Sequence, residues 1–122
     1  MQSAARKKAE ERVAILEKIT TEKERQFRAG VLSMEEMVEA RVRVKKAELE
    51  LCETPEERIE AHAAIVALAK EVEKVRDTLY KAGQCSFSDL AEARMAVLEA
   101  EAALEKAKAQ RTTKDAKNTK DN

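Results

Sequence analysis

Apolar side chains recur at alternating intervals of three and four residues along most of the chain, which predicts helix faces that pack against other helices. Three stretches carry such a stripe. The stripes are Met37, Ala40, Val44, Ala47 and Leu51; Ile65, Leu68, Val72, Val75, Leu79 and Ala82; and Leu90, Ala93, Val97, Ala100, Leu104 and Ala107. Alanine at every other layer of the first and third stripes allows the helices to approach closely.

The N-terminal stretch differs from the other three. In the register equivalent to that of the second stripe, it reads Arg12, Ile15, Ile19, Glu22, Gln26 and Ala29. The second half of this stretch is therefore poorly suited to burial. Two hairpins that pair with other chains remain an alternative to a closed bundle.

Helix boundaries are marked by residues that satisfy otherwise unpaired backbone groups. Gly30 and Gly83 are the two glycines of the chain, and a glycine in the left-handed conformation closes a helix at low cost. Ser33 and Ser86 follow three residues later, and each precedes an acid at the spacing of a capping box. Each turn therefore joins the end of one helix to the start of the next.

We predict an all-α fold, an up-down-up-down four-helix bundle made of two duplicated antiparallel helical hairpins. A third helix start is marked by Thr54 as cap and Pro55 at the first helical position. The predicted helices span residues 4–29, 34–53, 55–82 and 87–110. They form a single domain, 1–110, with hairpins at about 4–53 and 55–110, followed by a disordered polar tail at 111–122.

The two predicted hairpins are similar in sequence. An offset of 53 residues aligns residues 27–51 with residues 80–104, and 10 of the 25 pairs are identical. The matches include the glycine and serine of each turn and a Glu-Ala-Arg triplet that ends at Arg41 in one copy and at Arg94 in the other. We interpret this as an internal repeat.

Composition and charge exclude several classes of protein. Ala, Glu, Lys, Arg and Leu make up 75 of the 122 residues, against 2 Gly, 1 Pro and 3 aromatics, a bias typical of long helices. The 24 basic and 24 acidic residues cancel, so no net field attracts nucleic acid or a membrane surface. The chain has no recognisable signal peptide and no apolar run of the ~20 residues that cross a bilayer. We expect a cytoplasmic protein without membrane insertion.

Catalytic and ligand-binding motifs are missing from the sequence. His62 has Ile59 where a di-iron bundle would carry glutamate. Cys52 and Cys85 lack the spacing of a zinc or redox site, and we interpret them as buried or inert thiols near opposite ends of the third helix, too far apart for an intramolecular disulfide. We expect no enzymatic activity, cofactor, metal or small-molecule substrate.

Candidate partner-binding residues lie at the two turns and shortly after them. They are Gly30, Leu32, Ser33, Arg41, Gly83, Ser86, Phe87 and Arg94. The two arginines recur at equivalent places, although ordinary ion pairs along helix faces explain them better. Phe27 and Tyr80, three residues before each glycine, are expected to pack under the turns. Phe87 could instead be exposed at its turn and contact another protein.

The order of residues around both turns points to a known family. The first turn runs Phe27, Gly30, Ser33, Glu36, Met37, Ala40 and Arg41; the second runs Tyr80, Gly83, Ser86, Asp89, Leu90, Ala93 and Arg94. Both resemble the hairpin turns of the TolC-like outer-membrane efflux family, whose members are also duplicated and all-helical in this region. The resemblance implies that residues 30–33 and 83–86 contact a periplasmic adaptor protein, and that the chain is periplasmic.

The leading functional hypothesis is a non-enzymatic helical scaffold, adaptor or self-assembly module that acts through helix faces and hairpin turns. Its partner would be another protein or a second copy, and we expect no nucleic-acid binding. The alternative is a component or fragment of a TolC-like envelope export system that contacts an adaptor protein through its turns.

Overall fold

The structure is a computed structural model that describes the backbone of residues 3–120 and the side chains of residues 3–111. Its helices are α1 (Ala4–Arg28), α2 (Met34–Leu49), α3 (Pro55–Lys81) and α4 (Phe87–Lys120). No strand forms between residues 3 and 120. The prediction of an all-helical protein is therefore confirmed, and five of the six ends of α1–α3 fall within one residue of the predicted position. The exception is the end of α2, which lies at Leu49 and not at residue 53.

The last helix is longer than its apolar stripe. Its backbone is helical as far as Lys120, ten residues beyond the predicted end at residue 110. No glycine or proline follows Phe87, so no residue with a strong helix-stopping preference ends the helix where the apolar pattern ends. The side chains of the predicted tail from residue 112 onward lie outside the described residues.

Side chains cap the starts of the helices at the predicted residues. The hydroxyl oxygens of Ser33 and Thr54 accept hydrogen bonds from the backbone N–H groups of residues 36 and 57, at 3.2 and 3.1 Å. Ser3, which the sequence analysis did not identify as a cap, caps α1 in the same way, with the N–H of Arg6 at 3.0 Å. At Ser86 the capping box is complete, because Asp89 N–H donates to Ser86 Oγ at 3.1 Å and Ser86 N–H donates to Asp89 Oδ2 at 3.2 Å.

Both glycines close a helix in the left-handed conformation, with φ of 78° at Gly30 and 72° at Gly83. After α1, Gly30 N–H donates to the carbonyl of residue 27 and Val31 N–H donates to that of residue 26, both at 3.0 Å. After α3, Gly83 and Gln84 repeat this pattern, at 3.0 and 2.7 Å. The two crossed bonds form a Schellman motif in each turn. The predicted role of both glycines is confirmed.

The chain divides into two compact units, which meet in sequence between Leu51 and Cys52. In unit 1, α1 packs against α2. Arg12 near the start of α1 pairs with Glu50 at 3.1 Å, and Glu24 near its end pairs with Arg41 at 3.1 Å. These pairs show that the two helices run in opposite directions.

The core of unit 1 corrects the predicted register of α1. Val13 and Leu16 are buried together with Val44 and Ala47 of α2, and Leu51 packs against them. Ile15 and Ile19, which the transferred register places at the helix contact, are 54% and 38% exposed.

The physical reason for this rotation lies in the polar half of α1. The observed register turns Thr20 toward α2, whereas the predicted one would turn Glu22 toward it. Thr20 keeps its hydroxyl satisfied, because Oγ1 donates to the carbonyl of Leu16 at 2.8 Å and lies 3.4 Å from the carbonyl of Ala40. A glutamate carboxylate turned toward α2 would lose hydration, which is costly unless a hydrogen bond or an opposite charge replaces it.

In unit 2, α3 packs against α4. The buried members of the two predicted stripes are Ile65, Leu90, Ala93, Val97 and Ala107, and Ala61 and Val66 of α3 are buried outside its stripe. The other stripe residues are partly buried, except Ala82, which is exposed because it caps the end of α3. Glu73 pairs with Arg94 at 3.5 Å, while Arg76, farther along α3, lies 4.0 Å from Glu92, earlier in α4. These helices also run in opposite directions.

The two cysteines lie at opposite ends of α3. Cys52 precedes the cap of this 27-residue helix, and Cys85 follows the turn that closes it. A helix of this length spans about 40 Å, whereas a disulfide requires Cα atoms within about 7 Å. Both thiols are unbridged and partly exposed, so neither is fully buried.

Replacing either turn glycine by alanine should destabilise the protein by about 1 kcal/mol, because the left-handed conformation strains any residue with a Cβ. A Cβ at Gly30 or Gly83 would meet no other atom within 4 Å, so the cost comes from the backbone alone. Chemical denaturation measures it. Asparagine at the same positions is the control and should cost less, since it tolerates this conformation better. Equal or higher stability of both alanine variants would contradict this account.

Candidate interaction surfaces at the turns

Two surfaces contain most of the predicted partner-binding residues. We call residues 27–34 tip 1 and residues 80–87 tip 2. Tip 1 contains the predicted Gly30, Leu32 and Ser33, and tip 2 contains the predicted Gly83, Ser86 and Phe87. Leu32 is partly buried and the other five are exposed. Within each unit, the predicted residues of one tip are therefore close together.

Tip 1 and tip 2 each expose large apolar side chains. Val31 is 72% exposed and Phe87 is 66% exposed. Phe27 and Tyr80 are 37% and 43% exposed, which corrects the expectation that they pack under the turns. The ring of Tyr80 instead contacts that of Phe87 edge-on, with centroids 6.2 Å apart. Val31 falls within the range 30–33 that the resemblance gives as a partner contact, but it was not identified individually, because its position in the turn falls outside any helical periodicity.

Tip 2 is held by contacts that link α3, the turn and α4. Arg76 Nη1 donates to the carbonyl of Asp89 at 2.8 Å, and the thiol of Cys85 donates to the carbonyl of Arg76 at 3.4 Å. The side chain of Arg76 is only 20% exposed. These bonds fix the start of α4, and with it the position of Phe87. Sequence reasoning missed Arg76, because its partner is a backbone atom that no motif identifies.

Asp89 carries a perturbed pKa. The backbone N–H of Ser86 contributes most to lowering the pKa of this carboxyl below its ordinary value, followed by the Ser86 side chain, and the nearby charge of Arg76 adds to the effect. Removal of water from the carboxyl opposes them. The ionised form of Asp89 is therefore the form that holds the capping box together.

Arg41 and Arg94 lie beyond the tips, on α2 and α4, and each pairs with a glutamate of the preceding helix. Arg41 Nε lies 3.1 Å from Glu24, and Arg94 Nε lies 3.5 Å from Glu73. The two glutamates are 49 residues apart, so they do not match at the offset of 53 residues that relates the arginines. Partly exposed pairs of this kind contribute about 0–1 kcal/mol each. Both arginines therefore have a structural role within their own hairpins.

The described side chains, residues 3–111, include no buried polar or charged residue. They also contain no group of three or more His, Cys, Asp and Glu residues that could hold a metal ion. His62 is partly exposed. As far as the helices are described, none combines the length and apolarity that spanning a bilayer demands.

The pKa of Asp89 provides a test of the capping box. In wild-type protein, carboxyl ¹³C titration should give a pKa below the ordinary value of 3.8, and the pKa should rise toward that value in Ser86→Ala. Because the folded-state pKa is lowered, this stabilisation is present above the ordinary pKa and is lost as pH falls through the folded value. Asp89→Asn retains an oxygen that accepts a hydrogen bond but removes the charge, so its stability difference from wild type should shrink over that pH range. A wild-type pKa at or above 3.8 would contradict the proposed geometry.

Comparison with known proteins found no match to this chain among family models, curated proteins or solved structures.

Proposed function

We propose that the protein is a non-enzymatic helical scaffold, adaptor or self-assembly module that binds other proteins through its two tips and its exposed helix faces. The observation that carries this proposal is the exposure of Val31 and Phe87 on turns that capping bonds hold in place. Large apolar side chains are costly to expose to water, and a preformed contact loses little conformational entropy when a partner covers it. Both properties favour association.

A second candidate is a component or fragment of a TolC-like envelope export system, in which the tips contact an adaptor protein. The specific observation in its favour is that both turns close with the same Schellman motif three residues after an exposed aromatic ring, Phe27 in one unit and Tyr80 in the other. A partner protein that binds both turns in the same way would require the two turns to have the same geometry. The identity of the bound protein distinguishes the two candidates.

We further propose that the two hairpins are duplicated units that associate as an up-down-up-down four-helix bundle. The support is the repeat of 53 residues in the sequence and the antiparallel packing within each unit. Short connections favour this arrangement over a more open one.

A photo-crosslinking amino acid at the tips should yield discrete products with a partner protein. The probes replace Val31 and, separately, Phe87, in the intact chain within its cell of origin, and mass spectrometry identifies what is bound. The control probe replaces Glu71, an exposed residue of α3 that belongs to neither tip. Discrete products from the tips but not from Glu71 would support tip binding, and an envelope adaptor among them would favour the second candidate. The same background of crosslinked products from all three probes would refute tip binding.

The bundle can be tested by hydrogen exchange on the full-length Val44→Ala variant. Removing two methyl groups from the core of unit 1 should cost about 1–3 kcal/mol. If the hairpins share one core, amide protection should fall in α3 and α4 as well as in α1 and α2. Ala63→Gly, at an exposed position of α3, is the reciprocal control. It should lower amide protection in α3 and α4 and, if the hairpins share one core, in α1 and α2 as well. Loss of protection confined to the mutated unit would show that the hairpins are independent.

A further inference from the structure

Helix α4 exposes a second apolar face, distinct from the one that packs against α3. Met95 and Leu98 are 57% and 59% exposed. Ala91 precedes them and is partly exposed, and Ala102 follows and is exposed. We call these four residues the outer stripe. Successive members are four, three and four residues apart, so they lie on one side of the helix.

This spacing is that of the core positions of a two-stranded coiled coil. Ala91 and Leu98 take one core position of the heptad, and Met95 and Ala102 take the other. Leu90, Ala93 and Val97, which are buried, belong to the inner stripe on the opposite side. A single helix therefore carries one seam for α3 and another that no described residue covers.

The charges beside the outer stripe favour one partner and one orientation. Arg94 and Glu101 lie along one edge of the stripe, and Glu99 and Lys106 lie along the other. In a parallel, in-register pair of helices, a residue on the first edge faces the residue five positions later in the other helix. Arg94 then faces Glu99 of a second copy. Glu101 faces Lys106 of a second copy in the same way, and symmetry produces each attraction twice.

An antiparallel pair with full overlap of the outer stripe, in which Ala91 meets Ala102 and Met95 meets Leu98, has a mixed charge pattern, because each edge then faces the same edge of the other helix. Arg94 would face Glu101 of the second copy, which is attractive, whereas Glu99 would face Glu92 of the second copy, which is repulsive. The parallel, in-register pair has attractions along both edges, so the charges of α4 favour the parallel orientation.

Arg94 can serve both its own hairpin and a second copy. Its side chain is 61% exposed although it pairs with Glu73 at 3.5 Å. A guanidinium carries five N–H donors in a plane, so a second carboxylate can be bound without breaking the first pair.

We propose that the outer stripe is a homodimer interface, in which two copies of the chain associate weakly with their α4 helices parallel and in register. The homodimer proposal rests on the proposed function only in that self-assembly is one of the forms named there. The dimer is weak because two bulky layers, Met95 and Leu98, form its centre, and Glu105 takes the next core layer. The apolar contact is therefore about 17 Å long, and its area lies at the low end for protein interfaces.

Disulfide trapping tests the interface and its orientation together. Cys52 and Cys85 are replaced by serine, and one cysteine is introduced in turn by Ala91→Cys or Ala102→Cys. In a parallel, in-register dimer, each variant places its thiol beside its own equivalent, within reach of a disulfide. Both variants should therefore form covalent dimers under mild oxidation. Ala96→Cys, on an exposed part of α4 off the stripe, is the matched control and should not.

The alternative results are equally specific. Crosslinking between Ala91→Cys and Ala102→Cys chains, with neither variant crosslinking to itself, would show antiparallel pairing and overturn the proposal. Crosslinking no faster than that of Ala96→Cys would show that no dimer forms through this face, and that any occupant is a different protein.

Substitutions on the stripe should change the dissociation constant measured by sedimentation equilibrium at micromolar to millimolar concentration. Leu98→Glu should raise it about a hundredfold, with helicity retained because the side chain is already exposed. Glu101→Lys should weaken association by facing Lys106, and Glu101→Lys/Lys106→Glu should restore it. Failure of the double variant to restore association would overturn the parallel register.

The two proposals can fail separately. The probe at Val31 lies on unit 1, whereas every substitution in the dimer test lies on α4 in unit 2. Loss of tip crosslinks with intact disulfide trapping would remove tip binding and leave the dimer. Tip crosslinks without disulfide trapping would leave tip binding and remove the dimer.

Discussion

The fold depends on one backbone constraint, which is that the chain reverses direction within a few residues of the ends of α1 and α3, and each of these turns closes at a residue that accepts positive φ. Gly30 and Gly83 are the two such residues, and each adopts that conformation. The crossed bonds around each glycine satisfy carbonyls that the end of a helix leaves unpaired. A serine three residues later then satisfies N–H groups of the next helix. The reversal of each hairpin therefore occupies a few residues, which leaves no slack in how its helices face each other.

Packing within each unit follows from that short connection. When a turn is this tight, the positions along both helices that meet are determined by their distance from the glycine. The inner stripe of α4 places alanines between larger residues, so the helix can approach α3 closely, and Ala93 and Ala107 are buried there. Charged partners such as Glu24 with Arg41 lie at the borders of these contacts. Their contribution to stability is small, but they favour the observed register over its neighbours.

The same constraint connects the structure to its proposed function. A turn closed by hydrogen bonds on both sides presents its side chains in one arrangement, so Phe87 is exposed at a defined position beside Tyr80. Arg76 and the capping box of Ser86 and Asp89 tie that position to the body of the hairpin. An apolar surface supported in this way is suited to recognition by shape. The outer stripe of α4 is suited to a different kind of contact, in which flanking charges select the partner's orientation.

The sequence by itself determined where α1–α3 begin and where α1 and α3 end, because glycine, serine, threonine and proline act on the backbone locally. The end of α2 at Leu49, four residues before the predicted one, carries no such residue. It also identified the apolar stripes of α2, α3 and α4 and the residues that form the two tips. Tertiary structure decided which side of α1 packs. Val13 and Leu16 are buried in place of Ile15 and Ile19, and in this register the Thr20 hydroxyl faces α2 with its hydrogen bond intact. It likewise decided that Phe27 and Tyr80 are exposed and that Arg76 supports tip 2. These outcomes depend on atoms that are distant in sequence, and helical periodicity carries no information about which of two apolar faces finds a partner.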